Sequence, residues 1–115
     1  MKNELEIRTK NFALEIIRLV GGFQKSKSAD VIGYQLLKSG TSIGANYREV
    51  TRAQSKNDSI HKVAICEKEA AETEYWMELV IEAKISPQNI ERLLDESRQL
   101  LAIFVSSGKT AKANR

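Results

Sequence analysis

Apolar residues recur along this chain at three- and four-residue steps and rarely alternate, which predicts amphipathic helices rather than strands. Phe12, Ile16, Leu19 and Phe23 follow such spacing, with Leu5 one heptad before Phe12, and predict a first helix from Asn3 to about Val20. Gly21-Gly22 lowers helix propensity and predicts a left-handed cap, followed by the polar joint QKSKS. Ser28 reads as the N-cap of a second helix, with Asp30 in its first turn. Ile32, Leu36, Ser39, Ile43, Asn46, Val50 and Ala53 form the seam of that helix. The joint SKND at 55–58 offers Ser55, Asn57 or Asp58 as the next cap.

A third helix is predicted to run to about Lys84, with Val63, Cys66, Ala70, Thr73, Met77 and Val80 as its core seam. Beside that seam lie a stripe from Ile60 to Ile81 and another carrying Ile65, Trp76 and Leu79. A bundle leaves the outer side of each helix wet, so the extra apolar face at Ile65, Trp76 and Leu79 predicts a subunit interface. Ser86-Pro87 reads as the start of a fourth helix, striped by Ile90, Leu94, Ser97, Leu101 and Phe104. Gly108 is the expected stop, leaving 109–115 as a flexible basic tail beyond a single domain at 1–108. The fold class expected is all-α, an antiparallel up-down-up-down four-helix bundle. Small residues on the second helix (Gly40, Ser42, Gly44, Ala45) and on the third (Cys66, Ala70, Ala71, Thr73) predict that these two approach most closely. Three glycines inside the second helix, at 33, 40 and 44, destabilise it by roughly 1 kcal/mol each relative to alanine, so their lost volume is expected to serve packing. Ser39 and Asn46 fall on the seam and call for partners, with Thr73 or Glu74 across the hairpin as candidates.

No apolar run approaches the roughly 20 residues that span a bilayer. The mixed charges of MKNELEIRTKNF carry no secretion signal, and the single Cys66 cannot form an internal disulfide, so a cytoplasmic location is expected. Residues 1–56 hold ten Lys/Arg against five Asp/Glu, residues 57–107 the reverse, and the last eight residues add three bases. The net charge of +3 therefore equals the tail's contribution, and the body is neutral but polarised.

Catalytic chemistry finds little support. Glu67, Glu74 and Glu78 share one stripe of the third helix, but a di-iron bundle needs Glu-x-x-His on two helices and the only histidine is His61. Those carboxylates are expected to pair with Arg or Lys across the bundle. Ser42 has no histidine at helical reach, and Cys66 reads as a packed thiol. No enzyme, metal or cofactor is expected. Arg48, Arg52 and Lys56, spaced i, i+4, i+8, form one basic helix face, and with Lys62 and the tail residues Lys109, Lys112 and Arg115 they are the candidate phosphate contacts. Without interleaved aromatics this set predicts weak binding and little sequence readout.

SIGANYREVTRAQS at 42–55 and IHKVAICEKEAAETEYWMELV at 60–80 resemble the small four-helix bundle proteins related to the 23S rRNA intervening-sequence proteins. That family includes the accessory variability determinant protein of diversity-generating retroelements. The likeness rests on Ser42, Ile43, Asn46, Glu49, Arg52 and Ser55 in the first segment and Glu72 and Glu74 in the second. It implies a homo-oligomer, in known members a ring of five bundles. It also implies an association with structured RNA or DNA or, as an accessory subunit or scaffold, with a partner protein such as a reverse transcriptase.

Overall fold

The computed structural model describes residues 3–114, and within them the polar residues that flank each apolar run decide where the helices begin. Asn3 accepts a hydrogen bond from the Glu6 N–H at 2.7 Å and opens α1 (Glu4–Gly21). Ser26, in extended backbone, accepts from Ala29 at 3.1 Å and opens α2 (Lys27–Val50). The cap is therefore two residues earlier than Ser28, which lies inside the first turn. Ser55 accepts from Asp58 at 3.1 Å and opens α3 (Lys56–Glu82), while the Asp58 carboxylate accepts from the Gln54 N–H at 3.2 Å. This reciprocal pair fixes the joint over 51–55, so α2 stops at Val50 and does not reach Ala53.

The fourth helix departs from expectation at both ends. Ser86 and Asn89 hold a turn by accepting from the N–H groups of Gln88 and Glu91, and α4 (Glu91–Ala113) starts four residues after Pro87. Ile85 and Ile90 are both buried, so the segment between them crosses the end of the core before a helix can begin. At the other end α4 runs through Gly108, which keeps a negative φ and faces Val63, and the helix formers of KTAKA carry it on. Gly22 likewise caps α1 with φ −97° and not in the left-handed region. The left-handed residue is Lys84, φ 55°, where the N–H of Ile85 reaches the Val80 carbonyl and that of Lys84 the Ile81 carbonyl. Those two bonds form a Schellman closure with buried Ile85 as its apolar contact.

The four helices pack as a bundle of 47 × 26 × 22 Å, with no strand among the described residues. α2 lies between α1 and α3, α3 between α2 and α4, and of the neighbouring pairs α1 and α4 pack least closely. Phe12, Ile16, Leu36, Ile43, Met77, Leu100 and Phe104 fill the centre. No helix among the described residues is long and apolar enough to cross a membrane.

The glycines of α2 face α1, not α3 as the small-residue pattern predicted. A Cβ on Gly40 would stand 2.9 Å from Ile16 Cγ1, one on Gly44 3.3 Å from the Thr9 backbone, and one on Gly33 3.2 Å from Val20. The α2–α3 contact is made instead by Ser39 and Thr73, whose hydroxyls hydrogen-bond at 3.0 Å, and by Cys66 under the Ile43 carbonyl. Asn46 turns back to the Ser42 carbonyl at 2.8 Å and has no partner across the hairpin.

Two stability predictions follow from these backbone facts. Gly40→Ala gains helix propensity but drives a methyl into the fully buried, β-branched Ile16, for an expected net loss of about 1–2 kcal/mol in urea unfolding. Gly21→Ala, with nothing within 4 Å, is the control and should cost nothing. Lys84→Gly removes the left-handed penalty and should raise stability by about 1 kcal/mol; a loss on the same measurement would show that the Lys84 side chain matters more than its backbone.

Candidate nucleic-acid interface

The α2–α3 joint and the last turns of α4 lie at one end of the bundle, where Tyr47 of α2 packs on Phe104 of α4 with ring centroids 5.9 Å apart. The basic residues singled out from sequence collect around this end, though not as one helix face. Arg48 is in the last turn of α2, Arg52 is in the turn beyond it, and Lys56 is the first residue of α3. The break at Val50 cancels the i, i+4, i+8 register. Lys109 and Lys112, expected on a tail, ride on α4 and line a groove with Ile60, Ala64 and Glu67 of α3. Arg115 lies outside the described residues.

Ion pairing sorts these cations into two sets. Arg48 is 3.4 Å from Glu6 of α1, and Lys62 is 3.1 Å from Asp58 one turn earlier. The Gln54 N–H first, and Lys62 second, hold the Asp58 carboxyl below the usual carboxylate range, so that pair persists at neutral pH. Arg52, Lys56, Lys109 and Lys112 are exposed and make no ion pair among the described residues. Arg52 donates to the Arg48 carbonyl at 3.3 Å, which steers its guanidinium along the end of α2. The charge left for a polyanion is therefore on these four.

The glutamates of α3 are structural where they are engaged. Arg98 of α4 donates to Glu74 at 3.0 Å and to Glu78 at 3.3 Å. Among the described residues no three His, Cys, Asp or Glu side chains are grouped to hold a metal ion. Of the residues that carried the family resemblance, Ser42 donates to the Lys38 carbonyl at 2.6 Å, while Glu49 and Glu72 are exposed. Ile65, Trp76 and Leu79 are half-buried, and Trp76 packs against the core. The exposed large apolar side chains are elsewhere: Ile7, Leu14 and Ile17 on α1, Val31 and Tyr34 on α2, and Tyr75 on α3. The α1 set escaped the sequence reading because Phe12, Ile16 and Leu19 already supplied a complete stripe; the seven-residue step from Ile7 to Leu14 was the available signal.

The model of the 23S rRNA-intervening sequence protein family matches residues 2–106. A crystal structure of a protein of unknown function from the S23 ribosomal protein family of Bacteroides thetaiotaomicron is similar, at 38% identity and a TM-score of 0.82, over 90% of this chain and 97% of that one. No curated protein matches the chain.

Cys66 supplies a test of the core on which this end is built. Its side chain is fully buried, and burial pushes the thiol up to about 12. At pH 8 the folded protein should react with a thiol reagent about a thousandfold more slowly than a free cysteine, and at the ordinary rate once unfolded in urea. Fast labelling of the native protein would mean that the α2–α3 seam opens.

Proposed function

The chain belongs to the 23S rRNA-intervening sequence protein family, and from that premise we propose that it is a non-enzymatic, homo-oligomeric bundle that binds structured RNA or DNA weakly through its basic end. The observation that carries the reading is the continuation of α4 past Gly108. It sets Lys109 and Lys112 beside the first turns of α3, at the same end as Arg52 and Lys56 of the joint. Four ordered, unpaired cations from three chain segments are a phosphate-contacting surface; the same residues on a frayed tail would be a diffuse attraction. Four contacts without stacking aromatics give weak, salt-sensitive binding. The oligomer, a ring of five in the resembled members, would repeat this end around an axis and multiply its affinity. Up-down-up-down order fits the register of α1 against α2, since Gly33, Gly40 and Gly44 meet Val20, Ile16 and Thr9 in descending order.

A second reading, a scaffold or accessory subunit for a partner protein such as a reverse transcriptase, is favoured by the exposed Ile7, Leu14 and Ile17 on α1. Nucleic-acid binding in a salt series separates the two. Fluorescence anisotropy with a labelled RNA hairpin and a DNA duplex should show binding that weakens as salt rises. Changing Arg52, Lys56, Lys109 and Lys112 together to Ala should flatten the duplex log K against log salt slope by about 3.6, at about 0.9 for each of four phosphate contacts. A variant that binds like wild type removes this surface, and negligible wild-type binding near physiological salt removes the nucleic-acid reading in favour of the protein partner.

A further inference from the structure

Two exposed stripes on neighbouring helices match each other in length, charge and apolar content. On α2, Lys27, Val31, Tyr34 and Lys38 are all exposed and, at steps of 4, 3 and 4, share one face. On α3, Glu72, Tyr75, Leu79 and Glu82 follow steps of 3, 4 and 3; all are exposed except Leu79, which is half-buried. Tyr75 is held edge-on against Trp76 with centroids 5.1 Å apart, so its ring is presented in a fixed pose. Val31, Tyr34 and Tyr75 are 56%, 62% and 53% exposed, large for side chains of their kind.

The charges bracket the apolar residues on each stripe. Lys27 and Lys38 are about 16 Å apart along α2, and Glu72 and Glu82 about 15 Å apart along α3, at 1.5 Å per residue. None of the four has an ion-pair partner among the described residues, although α2 and α3 are packed side by side. Within one chain neither lysine of the α2 stripe pairs with a glutamate of the α3 stripe.

We infer that the α2 stripe of one copy docks on the α3 stripe of a second copy, with Val31 and Tyr34 against Tyr75 and Leu79, and the two lysines against the two glutamates. The partner is chosen by complementarity: a 12-residue basic-ended aromatic stripe fits an 11-residue acidic-ended one, and this chain carries both. Each charge pair alone is worth little at a surface, but placed at both ends of a shared apolar strip the charges fix register and exclude the like-with-like pairing of two α2 or two α3 stripes.

This inference rests on the homo-oligomer reading above, and sedimentation velocity with light scattering separates the two. Wild type should associate. Lys27→Glu/Lys38→Glu should weaken association at least tenfold, as should Glu72→Lys/Glu82→Lys. The chain carrying all four changes should regain wild-type mass and affinity, since it restores complementarity with the signs exchanged. All four sites are exposed on helices, and unchanged circular dichroism checks that the variants fold. An oligomer indifferent to either double change overturns the docking surface and leaves self-association standing. A monomeric wild type overturns both. Weakening by each double change without rescue in the quadruple change overturns the pairing of these two stripes.

Discussion

The closeness of α2 to α1 is the constraint from which the other helix positions follow. Gly40 lies under Ile16 with room for a hydrogen and not for a methyl, and Gly44 lies against the backbone of Thr9. The missing side chain at Gly40 leaves the space that Ile16 fills, and Phe12, Ile16 and Leu19 all belong to the buried core. The glycines cost α2 about 1 kcal/mol each in helix propensity. Part of that cost falls on a helix whose polar residues also bond inward to its own turns, as Thr41 does to Leu37, Ser42 to Lys38 and Asn46 to Ser42. Such bonds satisfy the side chains without a partner helix, which is why α2 tolerates Thr, Ser and Asn along a packed length.

Each remaining contact between helices uses a different chemistry. α2 and α3 are joined by the Ser39–Thr73 bond between two buried hydroxyls, each of which also bonds a carbonyl of its own helix, at Leu36 and Glu69. α3 and α4 are pinned at the surface by the fork of Arg98 on Glu74 and Glu78. Of the neighbouring pairs α1 and α4 pack least closely, and they are spanned by Arg8, bidentate on Glu96 with both bonds at 2.7 Å, and by Arg92 with Glu15. A long bidentate guanidinium bridges a gap between neighbouring helices that apolar side chains would leave open.

The sequence made the number, order and cores of the helices legible, because 3.6-residue periodicity survives in a single chain. Ser55 and Asn3 were readable caps, and Thr73 was readable as the partner of Ser39. What it hid was direction. A glycine at a seam position shows that something comes close but not which neighbour, and Gly40 and Gly44 turned toward α1 while the sequence pointed to Cys66 and Ala70 on α3. Element ends misled for a related reason. Pro87 and Gly108 carry strong local signals, but burial of Ile85 and Ile90 delayed one helix and the helix-forming KTAKA extended the other. The basic set was legible as residues and illegible as a surface: the sequence places the joint at 55–58, whereas it runs over 51–55, with Arg52 inside it and Lys56 opening the next helix.

What a partner feels is the charge left after internal pairing, not the net +3. Arg8, Arg48, Lys62, Arg92 and Arg98 are engaged with carboxylates of the same chain. Among the charges left unpaired in the described residues are Arg52, Lys56, Lys109 and Lys112 at one end, Lys27 and Lys38 along α2, and Glu72 and Glu82 along α3. From Lys38 to the end of α2 is about 18 Å at 1.5 Å per residue, more than twice the screening length of about 8 Å at physiological ionic strength. The end and the side of the bundle are therefore electrically independent. A polyanion at the end would neither repel nor recruit a second copy at the side through simple Coulomb forces. Coupling between the two, where it exists, has to run through α3, the helix that carries Lys56 of the one surface and Glu72 and Glu82 of the other.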